Sequence, residues 1–110
     1  MGSEVPALSR VVLNQVGVLN SAGDGERLSA EVLHALGRHE VVEINAMDVE
    51  RVTISFANAF VMHVLAVTPD AFRSGAVVIH ASDFVRCSFE QSMDRFARGM
   101  RLTSQRHVPA

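Results

Sequence analysis

Three runs rich in β-branched or other apolar residues, at 11–19, 41–45 and 75–80, alternate with segments whose apolar residues recur at helical spacing. A chain ordered strand, helix, strand, helix, strand, helix has few ways to fold. Consecutive parallel strands require long crossovers, and a helix packed on the sheet is the usual one, turning right-handed. The order therefore predicts an α/β domain. With 110 residues there is room for one core of ordinary size and no second one.

The segments can be placed one by one. Residues 1–10 hold Gly2, Ser3 and Pro6 without periodicity and are expected to form a flexible leader, with the domain spanning 11–102 and a polar tail at 103–110. The run Val11–Leu19 is one strand, or two short strands bent at Gly17. Gly23-Asp24-Gly25 fits neither nucleotide-binding glycine fingerprint and reads as a simple turn. Leu28, Val32, Leu33 and Leu36 then make one face of a short helix with Ser29 as N-cap, Glu31 in its first turn and Gly37 at C′.

A strand at Val41–Asn45 leads through a loop at 46–54 into a second helix. Its expected inner side is Phe56, Ala59, Phe60, His63, Val64 and Val67, before Pro69 stops it. This helix is apolar over most of its circumference, as for one packed on two sides. The unbroken run at 75–80 fits a strand covered on both faces. Ser82 or Asp83 can cap the last helix, whose inner stripe is Val85, Phe89, Ser92, Met93, Phe96 and Met100.

Composition narrows the function classes. Net charge is −2 and the ten basic residues, all Arg, form no stripe, so duplex nucleic acid is not an expected partner. With no Trp or Tyr and only six Phe, single-stranded nucleic acid lacks a stacking platform as well. No apolar run approaches the roughly 18 to 20 residues that span a bilayer, and no signal-peptide pattern opens the chain, so a cytoplasmic location without membrane contact is expected. The single Cys87, between Val85 and Phe89, reads as an inert, partly buried thiol. The five histidines show no ligand spacing, so neither a metal nor a cofactor is expected, and His80 beside Ser82 and Asp83 is assigned to structure.

In open parallel sheets, sites gather beyond the carboxyl ends of the strands, and 45–55 lies in that zone. Ser55 or Thr53 there precedes the first turn of a helix, where free N–H groups and the positive dipole end favour an anion. An N-cap role is the plain reading of such a hydroxyl, and it is compatible with a signalling role. Ser55 is modestly favoured over Thr53 for both.

The stretch from Leu28 to Leu65 resembles the STAS domains of anti-sigma factor antagonists, and most of all the diverged STAS-like domains that accompany histidine-kinase-type ATPases. Val42-Glu43-Ile44 stands at that family's aliphatic-Asp-aliphatic strand end, Ala46-Met47 at its small-residue turn, and Val52-Thr53-Ile54-Ser55-Phe56 at its helix opening, with Ser55-Phe56-Ala57 matching the STAS-like branch. Departures are the longer Glu43, Thr53 in place of an acidic residue, and Phe56 where Gly is usual.

The resemblance implies a small, central, mostly parallel (mixed) sheet of about four strands with three helices. It also implies a non-enzymatic regulatory domain that docks on a histidine-kinase-like ATPase or anti-sigma-type protein through 46–54 and the following helix. Ser55 would be the phosphoacceptor or switch, with Thr53 the second candidate, and Glu43, Asn45, Met47, Asp48, Phe56 and Asn58 would form the contact surface. Two alternatives remain beside it: a small-molecule or nucleotide-binding module at the same strand-end crevice, and a structural subunit that homodimerises or assembles through its apolar helix faces.

Overall fold

The computed structural model describes the backbone of residues 9–106 and the side chains of residues 9–99. Three parallel strands, β1 (Arg10–Leu19), β2 (Val41–Val52) and β3 (Val77–Ala81), lie side by side in the order β1-β2-β3. Helices α1 (Ala22–Gly37), α2 (Ile54–Val67) and α3 (Asp83–Arg106) follow the strands in turn. The domain is thus α/β with three helices, as the alternation predicts. Among the described residues the sheet has three strands rather than about four, and all are parallel, because the run before Gly17 and the run after it stay on one strand.

Because the strand order advances in one direction, right-handed crossovers bring the helices to a single face. There α2 packs between α1 and α3. Val42, Ile44 and Ala46 of β2 are buried beneath the helices, while Glu43 and Asn45, pointing the other way, are half-buried. The sheet therefore has an open face, with Val12, Val16 and Val18 of β1 exposed. The expectation that the third run is covered on both sides does not hold, since Val78 is half-buried and His80 exposed.

The segment 46–54, expected as a loop, is strand up to Val52. Between Asn45 and Asp48, and again between Val49 and Arg51, β2 carries one more residue than β1 does opposite it. Each extra residue is a bulge that bends the strand without ending the pairing. Bulging shifts the burial to Val49 and Val52, a spacing of three, which hides the strand from a search for alternation.

Helix α1 begins earlier than expected. Ser21 is its N-cap, accepting from the Asp24 N–H at 3.1 Å, so Gly23-Asp24-Gly25 is helical rather than a turn and Ser29 is interior. The buried Gly25 has a physical reason: a Cβ there would lie 2.5 Å from the Phe56 carbonyl oxygen and 3.2 Å from Ala59 Cβ. At the other end the left-handed residue is His39, at φ 61°, not Gly37. Helix α3 continues to Arg106, beyond the domain end expected at 102. Residues 1–8 and 107–110 of the expected leader and tail fall outside the described residues.

The core centres on Phe56, Phe60 and Phe89. Phe56 and Phe60 stack at 6.5 Å between centroids, and Phe89 meets both edge-on at 6.4 and 5.8 Å. The inner side of α2 is Phe56, Ala57, Phe60, Val61, Val64 and Leu65, rotated from the expected stripe, so that His63 and Val67 are exposed. The α3 stripe of Val85, Phe89 and Ser92 is buried as expected, with Met93 and Phe96 half-buried. Cys87, expected to be partly buried, is exposed.

Candidate functional site

At the carboxyl end of β2 the chain passes into α2 through a single residue, Thr53. Its side chain is the N-cap: Oγ1 accepts from the Phe56 N–H at 3.2 Å and donates to the Asn20 carbonyl at 2.6 Å. Its own N–H donates to the Leu19 carbonyl at 2.9 Å. These bonds tie the start of α2 to the end of β1. Ser55, the favoured cap on sequence grounds, is instead the second helical residue. A cap needs extended backbone just before the helix, and Thr53 has it at φ −79°, ψ 158°.

The consequence for Ser55 is that the fold does not use its hydroxyl. The side chain is exposed and makes no hydrogen bond among the described residues. The N–H groups of the first helical turn lack intrahelical partners, so the hydroxyl stands where backbone donors and the dipole favour negative charge. Next to it in sequence Ile54 is 64% exposed, and on β2 Met47 is 59% exposed.

The other expected contact residues divide. Asp48 is exposed with Met47. Asn45 is half-buried, donating to Asn14 Oδ1 across the strands at 2.9 Å and accepting from the Met47 N–H at 3.3 Å. Phe56, expected at the partner surface, is 1% exposed and belongs to the core. Asn58 faces α3, where its Oδ1 accepts a 2.8 Å bond from the buried Ser92 hydroxyl. It serves packing between two helices.

Glu43 lies on the open sheet face, bridging all three strands. Its carboxylate accepts from Arg10 of β1 at 2.5 Å and pairs with His80 Nε2 of β3 at 2.9 Å. The Arg10 hydrogen bond, then that of His80, holds its pKa below the ordinary value of 4.5, with desolvation opposing. Among the described residues His80 bonds to no hydroxyl or thiol. Arg10 and His80 were not recognisable as partners of Glu43 from the sequence, since only the register of three strands brings together residues 33 and 37 positions away. Ile54 was legible as an apolar residue at a helix start, a position that faces solvent unless a neighbour covers it.

Two cavities lie apart from this junction. One of about 620 Å³ runs between α3 and the outer edge of β3, and one of about 510 Å³ lies at the opposite end of the strands, around Leu36, Val41 and Gly75. No helix among the described residues is long and apolar enough to cross a membrane. Comparison with protein-family models, with curated protein sequences and with solved structures returns no match.

Proposed function

We propose that this chain is a cytoplasmic, non-enzymatic regulatory domain of STAS-like type that docks on a histidine-kinase-like ATPase through the β2–α2 junction, with Ser55 as the switch. The observation that carries this reading is the division of labour between two hydroxyls. Thr53 does the structural work of the cap, and Ser55, two residues on, is exposed and unbonded. A hydroxyl released from structure can be modified without dismantling the helix.

The surroundings support docking. Ile54 exposes an apolar side chain next to Ser55 in sequence, Met47 exposes another on β2, and the exposed Asp48, Glu50 and Arg51 lie between them along the chain. An apolar centre with a polar rim is the usual composition of a transient interface. Phosphate on Ser55 would add about −1.5 to −2 charges with three acceptor oxygens. The helix start tolerates that charge, but a partner packed on Ile54 and Met47 would have to bury it without compensation. Phosphorylation would thus release the partner while leaving the domain folded.

The test is incubation with a histidine-kinase-like ATPase and ATP, followed by intact mass and complex formation for the wild type and Ser55→Ala. Gain of one phosphate by the wild type alone, with loss of the complex, is the expected result. An unchanged mass together with no complex would overturn the reading. Phosphate on Thr53 would move the switch and remove the stated reason for it.

A further inference from the structure

Independently of that reading, we propose that the groove between β3 and α3 is a second docking site, for an extended apolar peptide segment that adds to the free edge of β3. The register defines the free groups. The Val42 N–H donates to the Ala76 carbonyl at 2.8 Å, and in a parallel ladder alternate residues turn both backbone groups to the same neighbour. Ala76, Val78 and His80 therefore serve β2, and Ile79 turns its N–H and C=O outward. The Val77 N–H is taken by the Ala71 carbonyl at 3.0 Å, which leaves the Val77 C=O and the groups of Ile79 and Ala81 as open rungs.

The two edges of the sheet differ. On β1 the same alternation turns Arg10, Val12 and Asn14 outward, and the Asn14 carbonyl accepts a 2.8 Å bond from Gln15 Nε2. Beyond it Gly17, at φ 74°, takes the chain out of the extended conformation a new strand would need. The half of that edge from Asn14 onward is blunted in the way soluble sheets guard themselves. β3 has neither device among the described residues. It borders the 620 Å³ groove, lined by Leu65, Phe72, Ile79, Phe89, Met93 and Phe96.

These features select the occupant. Outward N–H and C=O groups on one strand are matched by another peptide backbone, and alternate side chains of that backbone would fall into the apolar groove. A second copy of this chain fits less well, because it would bring a concave groove against a concave groove and leave both unfilled. The rim supplies a charge preference. Arg86 is neutralised by Asp83 and Glu90 at 2.6 and 3.8 Å, whereas among the described residues the exposed Arg73 has no carboxylate within 4.0 Å and the exposed Asp94 of α3, also on the rim, has no cation within that distance. The segment should carry an acidic group at the Arg73 end.

The test begins with a displayed library of random octapeptides panned on the full chain, followed by synthesis of an enriched peptide. Enriched peptides should alternate apolar residues and carry a carboxylate near one end, and binding should shift the backbone amides of Val77, Ile79 and Ala81. Methylating the peptide's amides one at a time should weaken binding about tenfold at alternate positions and leave those between unchanged. This period-two pattern reports strand pairing without altering the protein. Arg73→Glu should weaken the acidic peptides.

The proposal is overturned by absence of enrichment, by a methylation scan without that period, or by shifts that map away from β3. It is equally overturned if the groove takes the amphiphile 1-anilinonaphthalene-8-sulfonate and no peptide, or if sedimentation shows a dimer joined through β3. None of these outcomes bears on Ser55, so the two proposals stand or fall separately.

Discussion

Gly25→Ala sets two effects of known size against each other. Gly25 is an interior helical residue, and replacing an interior Gly by Ala ordinarily stabilises a helix by about 0.8 to 1.0 kcal/mol. Here the added methyl would stand 2.5 Å from the Phe56 carbonyl oxygen, 3.2 Å from Ala59 Cβ and 3.2 Å from the Phe60 nitrogen. Carbon and carbonyl oxygen rest at about 3.3 to 3.6 Å, so α1 and α2 must separate locally by about 0.8 to 1 Å.

The obstacle is backbone and has no rotamer to swing aside. Overpacking of this kind costs about 1 to 3 kcal/mol, here near the upper end, leaving a net loss of about 2 kcal/mol after the propensity gain. Gly23→Ala is the matched control: its nearest neighbour would be Ser21 Oγ at 4.0 Å, and it should gain a few tenths of a kcal/mol up to about 1. Urea unfolding at unchanged m-value measures both. If Gly25→Ala is as stable as the wild type, or both variants gain alike, the close approach of the two helices is refuted.

Other substitutions test the remaining elements. Thr53→Ala should lose about 1 kcal/mol or more in urea unfolding, since it removes a cap and a bond to Asn20, whereas Ser55→Ala should stay within about 0.5 kcal/mol; equal losses would contradict the assignment of Thr53 as the cap. Ser92→Ala strips Asn58 Oδ1 of its donor inside the α2–α3 contact and should cost about 1 to 3 kcal/mol, read from the same melts. Because folding lowers the Glu43 pKa, its charge contributes stability that is fully present above the ordinary value of 4.5 and is lost as pH falls through the folded value. Thermal midpoints of the wild type and Glu43→Gln should therefore differ at pH 5 and converge as the pH is lowered below 4.5, and a difference that widens on acidification would reverse the sign.

Much of the architecture was visible in the order of apolar runs, because period and β-branching report local burial directly. The α3 stripe of Val85, Phe89 and Ser92 shows this, since one packed face at helical spacing needs only its own residues to be recognised. The junction was less legible. β2 from Ala46 to Val52 spaces its buried residues by three, and only pairing with β1 makes that a bulged strand. Thr53 and Ser55 are both capping residues by type, with Ser the slightly better one, and what selects Thr53 is the position of Leu19 and Asn20, given by the sheet. Likewise α2 is apolar almost all round, so its inner side is set by where α1 and α3 lie and not by its own pattern.

The same long-range bonds bear on how a switch at Ser55 would act. The start of α2 is held by the Leu19 and Asn20 carbonyls through Thr53, and by the close fit of Gly25 beneath the Phe56 carbonyl. Phe56 in turn is locked between Phe60 and Phe89. A helix start fixed from three directions cannot shift far without opening the core, so a charge placed on Ser55 has little structure to rearrange. Its effect would be confined to the exposed surface around Ile54, where it alters what can be buried. Control by charge at the contact itself, rather than by a change of shape passed to a distant site, is the kind of regulation this junction can support.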